Sequence, residues 1–413
     1  MIIDAKKYSG KCSCGRDHAL STALCVIEAG CLARLDEYRQ QYGLMGFCTA
    51  VYDENTYRAV GNFRPHADCE VILDPGDLHA NERGVALLWE QMPTETALLI
   101  AVGSGTIHDI TRYCAYKKGI RFISCPTAAS VDGFCSSVAA MTWEGAKKTL
   151  PAVSPTIVLA DLNVISKAPL FLAKSGFGDI IGKYIALADW RIATALTGEL
   201  FCPRIYDIMM DATNAVKGSS LGLANGDVSA VEKLTYGLLM SGLAMQMLGN
   251  SRPASGAEHH VSHLIEMAPD EMEVSSSALH GEKVGVATLL ICAEYHRLAA
   301  LDGSMWGDYP PLTSEYLRTI FGERLHRPLL EENRKDVAEG ITGEQIGRKW
   351  GEIRSILVEI PEVEELLKLY EGIGVKATLA DLGLDEQKRP LLLDASPCVR
   401  NRLTLMRLRR ALL

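Results

Sequence analysis

Long apolar runs are missing from this 413-residue sequence. The longest, such as Ala97–Val102 and Thr288–Cys292, fall far short of the roughly 18–20 residues that cross a bilayer. The amino terminus, Met1-Ile2-Ile3-Asp4-Ala5-Lys6-Lys7, lacks the basic-then-apolar order of a secretory signal. Basic charge is not in excess either: 42 Lys and Arg face 51 Asp and Glu, a net charge of −9, which argues against a surface that coats nucleic acid. Aromatic residues are few, at 7%, yet 48% hydrophobic and 23% charged residues exclude a disordered, fibrous or low-complexity chain. No internal repeat of about 20–50 residues is present. The twelve cysteines are scattered rather than arranged as a disulfide framework, and read as small buried hydrophobes in a reducing compartment. The expectation is a cytoplasmic protein with no membrane and no nucleic-acid partner. A small anionic substrate stays open, because a local basic pocket can sit inside an acidic protein.

What the chain does have is a change of texture near residues 162–168. Before it, Gly46–Tyr52, Asp68–Leu73, Ala97–Val102, Arg121–Cys125 and Thr156–Ala160 are short runs rich in β-branched and aliphatic residues, each expected as a strand buried on both faces. Between them Asn55–Val60, Asn81–Gln91 and Ile107–Lys118 read as helices, and strands alternating with helices predict a parallel sheet. After the change, Leu234–Leu248, Ser277–Ala299, Glu362–Tyr370 and Val399–Leu412 show the spacing of helices. The fold class expected is a Rossmann-like α/β domain over 1–164 followed by an all-helical domain over 165–413, with the ligand in the cleft between them.

Three constellations carry chemistry. In the helical half, Gly176-Phe177-Gly178-Asp179 with Lys183 sets an acid and a lysine one turn apart, His259 and His263 of Glu258-His259-His260-Val261-Ser262-His263 share a helix face, and Leu279-His280-Gly281-Glu282 opens another helix. One carboxylate with histidines from successive helices suits a borderline divalent metal, although each residue alone is as readily a cap or a core histidine. In the α/β half, Gly103-Ser104-Gly105-Thr106-Ile107-His108-Asp109 follows a strand and opens a helix, where glycines and free N–H groups accept a phosphate; His108 stands where the usual third glycine would be. Asp53 ends the first of the listed strands, suited to ribose hydroxyls or simply to a turn. Pro126-Thr127-Ala128-Ala129-Ser130-Val131-Asp132-Gly133 forms a hydroxyl-rich loop after another strand. Cys12-Ser13-Cys14-Gly15-Arg16-Asp17-His18 looks like half a zinc site with no second ligand cluster at finger-like spacing.

Taken in order, these phrases, with Ser251-Arg252-Pro253-Ala254-Ser255-Gly256-Ala257, resemble the metal-dependent dehydrogenase superfamily that holds glycerol dehydrogenase, iron-containing alcohol dehydrogenases and dehydroquinate synthase. Within it the chain is most similar to the bacterial branch of the sn-glycerol-1-phosphate dehydrogenases. The resemblance implies reduction of dihydroxyacetone phosphate by NADH or NADPH to sn-glycerol 1-phosphate, for glycerophospholipid synthesis, by a homodimer with one zinc or nickel ion per subunit. It implies metal ligands Asp179, His259 and His280, and a catalytic pair of His263 and Asp132. Gly103, Ser104, Gly105 and Thr106 would underlie the pyrophosphate, and Asp109, Thr127 and Ser130 the nicotinamide half; Asp53 is expected at the ribose from its place at the strand end. Asp132 would meet substrate; from its position alone, one turn beyond Asp179, Lys183 is expected to hold the substrate phosphate, with Arg252 near the site. The alternative is a glycerol or polyol dehydrogenase on an unphosphorylated substrate. A synthase-like lyase is disfavoured, because such relatives usually carry Glu as the metal acid and Lys three residues on, where this chain has Asp179 and Gly182.

Overall fold

The computed structural model describes residues 1–144 and 146–413. The chain divides into two compact units, Met1–Ile180 with Asn214–Asn250, and Ile181–Thr213 with Ser251–Leu413.

The first unit is built on strands β1 Ile2–Asp4, β2 Gly10–Lys11, β3 Asp17–His18, β4 Leu24–Glu28, β5 Cys48–Asp53, β6 Cys69–Leu73, β7 Leu98–Gly103, β8 Arg121–Pro126, β9 Val138–Trp143, β10 Ala146–Pro151 and β11 Ile157–Asp161. Seven of them form one sheet in the order β1-β4-β11-β8-β7-β5-β6. Its strands are parallel except the edge strand β1, which runs antiparallel to β4. Every residue of β7 and β11 is buried, which is why both read as unbroken apolar runs. Alternate side chains serve the two faces: Tyr52, Ile100 and Val102 join Leu35, Val60 and Val164 on one, and Val51, Leu99 and Ala101 join Leu88, Ile107 and Ile110 on the other.

The strand order turns back at β5. From β5 the chain runs outward to β6, then returns to β7 on the other side of β5. The helix Glu54–Val60 leaves β5 and contributes Val60 to one face; the helix Gly105–Lys118 leaves β7 and contributes Ile107 and Ile110 to the other. Helices parting to opposite faces leave a crevice beyond the carboxyl ends of the two strands, the position where such sheets take ligands. Asp53 ends β5 and Gly103 ends β7.

The second unit holds the helices Lys183–Thr197, Ala257–Met267, His280–Ala299, Ser314–Glu332, Gly343–Leu357 and Val363–Ile373 among its elements. The expected five strands and three helices of the α/β half are all present, with no end shifted by more than two residues. Three departures stand out. β4 was not expected, and neither was the β9–β10 hairpin. Asp179 and Lys183 do not share one helix: Leu170–Ile181 ends before Gly182, and Lys183 starts the next. The run Val399–Leu412 is not one helix but a largely buried stretch with two short turns, Leu405–Leu408, capped by the extended Thr404, and the 3₁₀ turn Arg409–Ala411. Its apolar residues are held instead by the buried Arg407, which donates to the carbonyls of Pro397 and Arg400 and to Asp336.

Candidate active site

The turn after β7 is shaped by contact rather than by glycine freedom alone. A Cβ on Gly103 would lie 2.6 Å from the Cβ of Ile107, so only glycine lets the helix start this close to its strand. Ser104 occupies the cap position, yet its hydroxyl does not cap the helix; it pairs with the Ser130 hydroxyl at 3.1 Å. The Thr127 N–H donates to the Gly103 carbonyl at 3.0 Å, which joins the two motifs. Arg112, one turn beyond Asp109, is buried and donates to the carbonyls of Phe134, Ser136 and Val138. Asp109 lies 3.7 Å from its Nε.

His108, in the place of a third glycine, is a structural peg. Its Nδ1 donates to the Ser104 carbonyl at 2.9 Å, and its Nε2 accepts from the Ser124 hydroxyl at 2.8 Å. Burial, reinforced by the Arg112 charge, pushes its pKa down to about 3. A histidine neutral in the fold but protonated in the unfolded chain stabilises above the unfolded pKa and loses that stabilisation as pH falls toward the folded one. Between about pH 6.5 and 3 the loss approaches about 1.4 kcal/mol per pH unit. His108→Gln should therefore be less stable than wild type at pH 7 but show a flatter decline on acidification. Urea midpoints at pH 7 and pH 5 check this, and parallel slopes would refute it.

Asp53 is a helix cap. Its Oδ1 accepts from the Thr56 N–H at 2.8 Å, and its own N–H donates to the Thr56 hydroxyl at 3.0 Å. The capping role and a second acceptor role at the other oxygen are compatible, since a carboxylate accepts several bonds.

The loop after β8 is held from below. Gly176 presses so near it that a Cβ there would sit 2.2 Å from the Ala129 carbonyl oxygen. The Ser175 hydroxyl donates to the Ser130 carbonyl at 3.2 Å. At the loop's end the Asp132 N–H donates to Asp179 Oδ2 at 3.1 Å, while Asp132 Oδ2 accepts from the Ser241 hydroxyl at 2.8 Å.

The three histidines gather in the second unit. Ring centroids of His259, His263 and His280 lie 5.4–6.0 Å apart. His259 Nδ1 meets Glu258 Oε1 at 2.6 Å, and His280 Nδ1 meets Glu266 Oε1 at 2.8 Å. An ionised carboxylate can only accept, so both Nδ1 atoms carry the proton and both Nε2 atoms are the lone-pair nitrogens. This carboxylate–histidine pairing is how proteins orient metal-binding imidazoles. Asp179, His259 and His280 each offer one ligand atom within 4.8 Å of the others, and that donor set fits a divalent metal. His260 is outside the group; it is fully buried, and neither ring nitrogen has a hydrogen-bond partner. Burial drives the pKa values of His260 and His263 well below the usual range. Burial works to raise the Glu266 carboxyl, but the neighbouring His280 outweighs it and holds the group ionised.

Asp189, fully buried, positions both histidine helices. It accepts from the N–H of Ala257 at 2.9 Å, from the Tyr295 hydroxyl at 2.6 Å and from the Leu405 N–H at 2.9 Å. Glu258, Glu266 and Asp189 were all missed in the sequence. Glu258 adjoins a candidate ligand and Glu266 follows His263 by three residues, the only signals available. Two cations are otherwise engaged: the Lys183 ammonium donates to the Ala254 carbonyl at 2.8 Å, and Arg252 grips Glu199 with two bonds and donates to the Leu403 carbonyl. The expectation of Arg252 as an aid to a substrate phosphate is corrected by that ion pair.

The chain is similar to known proteins over most of its length. Residues 26–169 match the family model described as iron-containing alcohol dehydrogenase. The glycerol-1-phosphate dehydrogenase (NAD(P)+) of Halalkalibacterium halodurans is 33% identical over 98% of this chain and 97% of its own length. That of Bacillus subtilis is 39% identical over 66% and 71%. Among solved structures, a probable glycerol dehydrogenase from Sinorhizobium meliloti superposes with a TM-score of 0.59 at 18% identity, covering 90% of this chain and 88% of that one, a likeness of fold. Among the described residues, no helix is long and apolar enough to cross a membrane.

Proposed function

The chain belongs to the glycerol-1-phosphate dehydrogenases, and from that membership we propose that it reduces dihydroxyacetone phosphate to sn-glycerol 1-phosphate with NADH or NADPH. The observation that carries the reading is the likeness to a glycerol-1-phosphate dehydrogenase along nearly the whole of both chains.

In this reading Asp179, His259 and His280 hold one divalent metal, supported by the two carboxylates that accept from the Nδ1–H groups. When bound, the metal and the reduced nicotinamide supply a Lewis acid for the carbonyl oxygen and a hydride for the carbonyl carbon. The N–H groups that open the helix Gly105–Lys118 bind the pyrophosphate over Gly103, Ser104, Gly105 and Thr106; the absence of a side-chain cap from Ser104 supports this. Asp109, Thr127 and Ser130 flank the nicotinamide, and Asp53 accepts from a ribose hydroxyl. Asp132, held by its N–H and its Oδ2, orients a substrate hydroxyl, and Lys183, whose ammonium carries three donors and gives one to Ala254, meets the phosphate. His263, kept neutral by burial, passes a proton to the reduced oxygen, taking it at one ring nitrogen and giving it from the other. The finer assignments belong to the same reading: NADH over NADPH from the charge of Asp53, zinc or nickel from an all-nitrogen-and-oxygen donor set, and a cytoplasmic homodimer.

The test is oxidation of NADH by metal-reconstituted protein with dihydroxyacetone phosphate, beside dihydroxyacetone and a chelator control. Chelator-sensitive turnover of the phosphate ester alone is the expected result. Turnover of dihydroxyacetone instead would replace this reading with a glycerol dehydrogenase.

A further inference from the structure

The N-terminal hairpin carries a cluster that the dehydrogenase reaction does not use. β2 and β3 pair with Gly10 opposite His18 and Lys11 opposite Asp17. The turn between them is tight: the Cys12 N–H donates to the Arg16 carbonyl at 2.9 Å, the Gly15 N–H to the Cys12 carbonyl at 3.0 Å, and Gly15 takes a left-handed φ of +86° that glycine alone accepts easily. This geometry brings Cys14 Sγ to 3.5 Å from His18 Nε2. The other ring nitrogen, Nδ1, lies 2.8 Å from the Met247 carbonyl, which can only accept. The proton of the buried His18 is therefore on Nδ1, and the Nε2 lone pair is turned to the thiols.

A fourth group completes the cluster. Cys12, Cys14, His18 and Cys202 each offer one ligand atom, and all four atoms lie within 4.8 Å of one another. None of the twelve cysteines is in a disulfide, so no such bond accounts for the clustering. A thiol–imidazole hydrogen bond would explain Cys14 and His18 but not the convergence of two more sulfur atoms. A tetrahedral zinc centre explains all of it: with Zn–S near 2.3 Å and Zn–N near 2.0–2.1 Å, neighbouring donors stand about 3.6 Å (S to N) and about 3.8 Å (S to S) apart. The backbone-anchored Nδ1 is the outer partner that a metal-bound imidazole usually has.

We propose that Cys12, Cys14, His18 and Cys202 form a second metal site, a closed structural centre for zinc, separate from the Asp179, His259 and His280 group. Three thiolates and an imidazole select zinc over magnesium or calcium, which prefer oxygen. Four protein donors leave no position for substrate, so the centre is structural rather than catalytic. On loading, each thiol gives up its proton to solvent and its sulfur donates a pair to the metal, with no change of oxidation state. The sequence shows only Cys12, Cys14 and His18 as a half-site, because the fourth ligand is far along the chain.

The full-length protein should bind two metal ions per chain, counted by mass spectrometry after gel filtration. Loaded with cobalt(II), it should show a near-ultraviolet sulfur-to-cobalt charge-transfer band, which nitrogen and oxygen ligands cannot produce. Cys14→Ser and Cys202→Ser should each lose that band and one of the two ions, whereas His280→Ala should keep the band. A wild-type protein with a single ion and no charge-transfer band overturns the proposal, as does a band that survives both serine substitutions. If the serine variants do not fold, the wild-type count and spectrum decide the matter alone. Either result leaves the dehydrogenase reading to be judged by its own assay.

Discussion

Replacing His280 by alanine will lower the dihydroxyacetone phosphate-dependent oxidation of NADH by at least about a thousandfold, about 4 kcal/mol of transition-state stabilisation. The fold should survive, because His280 is only half-buried and opens its helix rather than filling the core. Its Nδ1–H donates to Glu266, so the Nε2 lone pair is the group the substitution removes from the proposed metal site. Glu266→Gln is the graded companion: the imidazole stays but loses its charged orienter, and metal affinity should fall by about 10- to 100-fold. Rates at saturating metal, with thermal melting as the control for folding, check both. A His280→Ala enzyme with near-normal turnover would mean that the metal is held elsewhere.

Asp189→Ala should be the most damaging substitution to the second unit, costing about 3–5 kcal/mol of stability. The change removes no large apolar volume. It leaves the N–H groups of Ala257 and Leu405 and the hydroxyl of Tyr295 without their acceptor in a dry interior. Because Ala257 starts one histidine helix and Tyr295 lies on the other, metal affinity should fall with stability. Burial, opposed by the three donated hydrogen bonds, raises the Asp189 pKa to about 7. A carboxyl with a raised folded pKa stabilises fully below its unfolded value near 3.8 and loses that contribution as pH climbs through about 7. Asp189→Asn, which keeps an acceptor but cannot ionise, should gain on wild type by up to about 1.4 kcal/mol per pH unit across that window. Denaturation midpoints of wild type and both variants between pH 4 and pH 8 measure it. A constant offset between wild type and Asp189→Asn would show that the group does not change its ionisation there.

The two substitutions mark the boundary of what the amino-acid order discloses. His280 was legible, since a histidine beside His259-x-x-x-His263 stands out against a polar helix start. Asp189 was not, because a lone acid in an apolar helix looks the same whether it caps, is solvated or anchors two neighbours. Glu258 and Glu266 were hidden for the same reason: a carboxylate on a helix is ordinarily exposed. β4 went unseen because one of its partners in the sheet, β11, begins only at Ile157, and the other, β1, is only three residues long. The Val399–Leu412 stretch misled in the opposite sense, its helical spacing being satisfied by short turns that Arg407 ties down.

The local code was enough for β5, β6, β7, β8 and β11, for the turn at Gly103 and for the histidine spacing. Strands buried on both faces must be apolar throughout, and close backbone approach must use glycine, so these constraints act within a few neighbouring residues and are written there. The direction of each imidazole, the employment of Arg252 by Glu199 and the meeting of Cys202 with the hairpin thiols were decided by the fold alone. Each depends on a partner distant in the chain or on a proton placed by an acceptor, and neither leaves a mark on the order of residues.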